Sequence, residues 1–112
     1  MGELVVLVTV PNKDEGLRIA RSLVSERLAA CVNIISGIES IYRWGDRIAH
    51  DEALLLVIKT TADRFAELEA RVKDLHSYST PEVIALEIRQ GSPDYLKWLA
   101  DSTVPGQRTG KD

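Results

Sequence analysis

The sequence predicts an α+β domain whose elements run β-α-β-β-α-β and end in a short helix. Three observations predict it. The run Leu4-Val5-Val6-Leu7-Val8-Thr9-Val10 is apolar and β-branched, as in a strand covered on both faces. Apolar residues recur at three- and four-residue spacing after Pro11 and again after Thr61, as in amphipathic helices. Between those helices lie two long β-prone arms joined by Gly45-Asp46, a two-residue hairpin loop beginning with glycine.

The elements follow in order. Pro11 ends the first strand because it has no N–H for the ladder. Asn12 is placed as a helix N-cap with Glu15 three residues on, a capping-box arrangement. Leu17, Ala20, Leu23, Val24 and Leu28 mark a helix over residues 13 to about 29. A strand then runs from Ala30 and Cys31, through a bulge at Gly37, to Trp44, and the return arm passes Ile48 and Ala53 to Ile58. Each arm of ~14 residues extends on the order of 45 Å at ~3.3 Å per residue. A domain of this length has a radius of gyration of roughly 13 Å, so the hairpin reaches past its own body. An exposed hairpin carrying Ile38, Ile41, Tyr42 and Trp44 is costly alone, which predicts a homo-oligomer.

Thr61 is expected to cap the second helix, with Phe65, Leu68, Val72 and Leu75 on one face. Glu82 to Arg89 reads as a strand with Ile84, Leu86 and Ile88 on one side. Ser92-Pro93-Asp94 opens the last helix, where Tyr95, Leu96 and Leu99 are apolar. Residues 1–104 form one domain, and residues 105–112 are expected to be a disordered tail. The whole order matches a split βαβ, ferredoxin-like plait.

Composition narrows the function. The chain has 112 residues, 45% hydrophobic and 28% charged, which is globular rather than disordered. Fourteen basic against seventeen acidic residues give a formal charge of -3, leaving no basic surplus for a nucleic-acid backbone. No apolar run is long enough to span a bilayer, and no positively charged leader pattern opens the chain. A single cysteine, Cys31, precludes an intrachain disulfide. A cytoplasmic location follows as the expectation.

Several strings resemble the CutA divalent-cation-tolerance family: Ala29-Ala30-Cys31-Val32-Asn33, Ser40-Ile41-Tyr42-Arg43-Trp44, Ile58-Lys59-Thr60, His76-Ser77-Tyr78 with Thr80-Pro81-Glu82-Val83, and Tyr95-Leu96-Lys97-Trp98-Leu99. They span residues 4 to 102 in the family's order. The resemblance implies a trimer with long strands exchanged between neighbours, an architecture similar to PII-like signalling proteins, copper binding, and no established catalysis. Two departures stand out. Ser77 replaces the proline common after the histidine, and the positions matching assigned copper ligands are Val8, Leu75 and His76, of which only His76 is a ligand type. The family's glutamate ahead of the Lys-Thr pair matches Ala53 here, or is displaced to Glu52.

The candidate residues each carry a bland and a functional reading. His76 is either a helix-terminal histidine or a soft-metal ligand. Cys31 is either an inert buried thiol or a Cu(I) ligand. Counting back from Gly45-Asp46 sets Trp44 opposite Arg47, Ile41 opposite His50 and Glu39 opposite Glu52. Two opposed carboxylates repel unless solvent, a cation, a bridging Arg43 or a register change intervenes, which makes Glu39, His50 and Glu52 a candidate divalent site. Lys59 is expected to line an intersubunit cleft and pair with an acid such as Glu82, while Tyr42, Trp44, Tyr78 and Trp98 pack at its rim. No phosphate loop, nucleophile elbow or metalloprotease helix occurs, so an enzyme is not expected. The alternative is a PII-like sensor holding a small anion in the cleft beside Lys59.

Overall fold

The computed structural model describes residues 2–105. The elements are β1 (Glu3–Val10), α1 (Lys13–Ser25), β2 (Cys31–Trp44), β3 (Arg47–Thr61), a 3-10 turn (Ala62–Arg64), α2 (Phe65–Leu75), β4 (Val83–Glu87) and α3 (Pro93–Ser102). The four strands form one antiparallel sheet in the order β2-β3-β1-β4. Residues 106–112, most of the expected tail, lie outside the described residues.

β1 shows how the sheet divides its two faces. Leu4, Val6, Val8 and Val10 are buried while Glu3, Val5, Leu7 and Thr9 are only half-buried, the period-two alternation of a strand covered on one side. The buried set joins Leu54, Leu56 and Ile58 of β3, Ile19 and Leu23 of α1, and Leu68 and Val72 of α2 in one core. Val5, Leu7, Leu55 and Val57 share the other face with Ile35, Ile84 and Leu86, and the last three are exposed. Of the two coverings that the continuous apolar run allows, a single chain supplies one.

The hairpin register is the one read from the loop: Trp44 pairs with Arg47, Ile41 with His50, and Glu39 with Glu52. Gly45 takes the positive φ of 64° that the first loop position needs. Between Ile35↔Leu55 and Ile38↔Ala53, two residues of β2 oppose one of β3. That is the bulge, and Gly37 within it has φ 77°. The protein measures 49 × 29 × 23 Å with a radius of gyration of 14.9 Å, so it is elongated for its length.

Several boundaries differ from the sequence reading. The first helix stops at Ser25, not near residue 29, because Arg27 turns left-handed at φ 61°. Leu28 N–H then donates to Leu23 O at 2.9 Å and Arg27 N–H to Val24 O at 3.1 Å, a Schellman closure. Leu28 therefore packs against Leu23 from outside the helix, while Val24 is exposed and Ile19 takes the core position. Asn12 does cap α1, accepting from Glu15 N–H at 2.9 Å, but the Glu15 carboxylate turns elsewhere, so no reciprocal box forms. Thr61 ends β3 and makes no side-chain cap bond, because the 3-10 turn intervenes before α2. Ser92 likewise supplies its carbonyl to Leu96 N–H, not its hydroxyl, at the start of α3. The last strand is only Val83–Glu87.

Arg27 generates a prediction. A side chain held at positive φ costs ~1 kcal/mol that glycine avoids. Arg27→Gly is expected to raise the midpoint of urea unfolding by an amount equivalent to about 1 kcal/mol. Arg27→Ala, which keeps the Cβ, is expected to give no gain.

Candidate functional site

Two polar clusters on the outer hairpin and one buried network account for most of the sequence-selected residues. The first cluster lies on one side of the hairpin. His50 Nε2 meets Glu39 Oε1 at 2.8 Å, and both side chains are exposed. Glu52 sits directly opposite Glu39. The carboxylate repulsion is thus relieved by the diagonal His50, not by Arg43, which makes no contact there. Among the described residues, no three His, Cys, Asp or Glu side chains converge as a metal site would require.

The second cluster lies on the hairpin's other side. Tyr42 Oη donates to Asp51 Oδ2, and the hydrogen bond holds the Tyr42 phenol above its ordinary pKa, helped by burial and by the Asp51 charge. These residues border a cleft of about 500 Å³ between the hairpin, the end of β1 and the segment entering β4. Asp51, Tyr78, Thr80 and Glu82 line it, Glu39 borders it while its carboxylate turns to His50 on the other hairpin face, and no lysine or arginine lines it. The sequence reading selects Tyr42, Tyr78, Glu82 and Glu39 but misses Asp51 and Thr80. A signal for Asp51 exists, since the hairpin register places it opposite Ser40 and diagonal to Tyr42.

Tyr78 is positioned by the buried network. The His76 side chain is fully buried; its Nε2–H donates to Thr9 O at 2.8 Å and its Nδ1 accepts from Tyr78 N–H at 3.0 Å. Those two bonds occupy both ring nitrogens, and Glu15 Oε2 lies 3.3 Å from Nδ1. The His76 and Tyr78 rings also pack at 4.8 Å. Glu15, 6% exposed at its side chain, accepts from Ser77 N–H at 2.8 Å and from Ser77 Oγ–H at 3.1 Å. A proline at position 77 would supply neither donor.

The remaining candidates are dispersed. Within one chain, Lys59 does not reach Glu82. It pairs with Val5 on β1, whereas Val83 pairs with Val8, three residues or ~10 Å along that strand. Its Nζ donates to Asn33 Oδ1 instead. Cys31 is half-buried, not buried, and shares with Lys59 and Val5 the sheet face turned away from the core. Tyr95 of α3 is close enough that burial first, and the Cys31 thiol second, raise its phenol pKa. Trp44 is 72% exposed at the hairpin tip, and Trp98 is exposed on α3 with Tyr95 at 5.4 Å.

Known proteins share this architecture. The family described as "CutA1 divalent ion tolerance protein" matches residues 4–102. This chain belongs to that family. The "Divalent-cation tolerance protein CutA" of Thermus thermophilus is 52% identical over 101 residues, covering 90% of this chain and 98% of that protein. The "Protein CutA 1, chloroplastic" of Oryza sativa is 52% identical over 100 residues, or 89% of this chain, which spans only 56% of that longer protein. A solved structure of the divalent cation tolerance protein from Thermus thermophilus superposes with a TM-score of 0.90 at 51% identity, covering 91% of this chain and 99% of the other. No helix among the described residues is long and apolar enough to cross a membrane.

Two expectations follow from the networks. Glu15→Ala removes the charged acceptor shared by Ser77 N–H and Oγ–H, and should destabilise the fold by about 1–3 kcal/mol in denaturant titrations. The raised Tyr42 phenol binds its proton more tightly in the folded state than in the unfolded one. Its contribution to stability is therefore present below pH 10 and lost as pH rises through the folded value. In ultraviolet titration, Asp51→Asn should bring one tyrosine's ionisation back toward the ordinary range.

Proposed function

We propose that the chain acts as a homotrimer of ferredoxin-like subunits that binds divalent cations, copper foremost, and contributes to metal tolerance in the cytoplasm. The observation that carries the metal reading is the exposed Glu39–His50 pair with Glu52 opposite it. An imidazole beside carboxylates suits borderline divalent ions, and at such a site Cu(II) binds most tightly of the first-row series. One chain brings too few donors together, so the full ligand set comes from more than one copy. Membership in a divalent-ion tolerance family supports the same reading.

The ferredoxin-like assignment is supported by the sheet order, which read from the far edge is β4-β1-β3-β2, antiparallel throughout. The assembly is supported by the uncovered apolar face around Val57, Ile84 and Leu86 and by the projecting hairpin. The lone free Cys31 supports a reducing compartment. We assign no catalytic role: the cleft offers phenols and carboxylates but no activated nucleophile. A sensor for a small anion is disfavoured by the acidic lining of that cleft and by the engagement of Lys59 with Asn33.

The test is a titration with Cu(II), and with Cu(I) under reductant, of the wild type, His50→Ala, His76→Ala and Cys31→Ser. Saturable binding weakened at least tenfold by His50→Ala and unaffected by His76→Ala is expected. Equal, non-saturating uptake by all four proteins overturns the metal reading. For the assembly, light scattering should give three chains for the wild type and a smaller species for Ile84→Asp/Leu86→Asp. A monomeric wild type removes the trimer.

A further inference from the structure

We propose that Glu15, His76 and Tyr78 form a proton-controlled latch on the wall of the cleft. With the imidazole neutral, Nδ1 holds the Tyr78 backbone N–H; with it protonated, Nδ1–H bonds to Glu15 and the Tyr78 backbone is released. The latch lies within one chain and is independent of the metal and trimer readings.

The geometry around one nitrogen carries it. Nδ1 of His76 lies 3.0 Å from Tyr78 N and 3.3 Å from Glu15 Oε2. An imidazole nitrogen has one in-plane position, which holds either a lone pair or a proton. As a lone pair it accepts from Tyr78 N–H and faces the carboxylate without a bond. As a proton it donates to Oε2, and the Tyr78 N–H can no longer donate to it. The two partners therefore exclude each other. Nε2–H donates to Thr9 O at 2.8 Å in both states, so the ring keeps its place while its bond changes.

The surroundings suit both states. The His76 side chain is fully buried and that of Glu15 is 6% exposed, and a charge-assisted bond there is stronger than the neutral one it replaces. Ser77 N–H and Oγ–H both donate to Oε2, which holds it as a carboxylate. α1 thus presents an anion to the ring, β1 the Thr9 carbonyl, and the loop after α2 the Tyr78 phenol ring at 4.8 Å. The arginines and lysines that form ion pairs among the described residues meet Glu26, Glu67, Asp74 and Asp101 instead. Tyr78 is 46% exposed, so water takes over its freed N–H. Because Tyr78 lines the cleft with Tyr42, Asp51 and Glu82, a proton on a buried ring sets how firmly one wall of that cleft is held.

The test is nitrogen-15 NMR of the full chain from about pH 8 to about pH 5, the range over which histidine changes charge, with His50→Gln identifying the other imidazole's signals. Acidification is expected to protonate His76 Nδ1 and to lower the exchange protection of the Tyr78 amide about tenfold or more, both with one midpoint. Glu15→Gln, which keeps an acceptor for Ser77 but removes the charge, should lower that midpoint by about one pH unit or more. Ser77→Ala, which takes one donor from Glu15, should raise it. A ring that keeps one protonation state throughout, protonates without changing the Tyr78 amide, or ignores both variants overturns the latch.

Discussion

The structure depends on a mismatch: a sheet with two apolar faces and only enough helix to cover one. α1 and α2 bury Leu4, Val6, Val8, Leu56 and Ile58. On the reverse side, Val5, Leu7, Leu55 and Val57 are packed only in part, with α3 reaching one end. Burying apolar area is worth roughly 25 cal/mol per Å², so a face of this kind drives association unless something else covers it. The elongated shape follows from the same constraint, because the hairpin continues the sheet beyond the helical layer.

The network at Glu15 ties the covered layer to the cleft. Glu15 leaves the first turn of α1 and receives both donors of Ser77, just past the end of α2. His76 then fastens that junction to the end of β1 through Thr9 O, and Tyr78 to itself through Nδ1. Three elements distant in sequence meet through bonds in which every donor has an acceptor, and no buried side-chain nitrogen or oxygen is left unpartnered among the described residues. Serine at position 77 supplies two donors to that arrangement, where a proline would supply none.

What the sequence made legible was local or periodic. Gly45-Asp46 determined the pairing from Trp44↔Arg47 back to Ile38↔Ala53, because a two-residue loop leaves no freedom of register. The β1 run revealed an apolar strand and left open whether a helix or another chain covered each side. The sequence could not reveal long-range side-chain choices. Glu15 had the spacing of a capping residue, yet its carboxylate found better donors sixty-two residues away. His76 had the residue type of a metal ligand, but packing α2 against β1 committed both its nitrogens. Lys59 matched a family motif, and only the strand order shows that it sits away from Glu82.

The bulge reconciles the outer half of the hairpin with the inner half. A strand alternates faces strictly, so one extra residue between Ile35 and Ile38 moves every later side chain of β2 to the opposite side. With it, Tyr42 lies beside Asp51, and Glu39 lies beside His50 and Glu52. Because the Gly45-Asp46 loop fixes the outer pairing, the same chain without the bulge would slip the inner half of β2 by one residue against β3, turning Cys31, Asn33 and Ile35 toward the helical layer. The loop thus sets the two polar clusters of the hairpin, and the bulge lets that pairing coexist with Val32 and Ile34 packed against the core. The positive φ of Gly37 marks the conformation by which the backbone accommodates it.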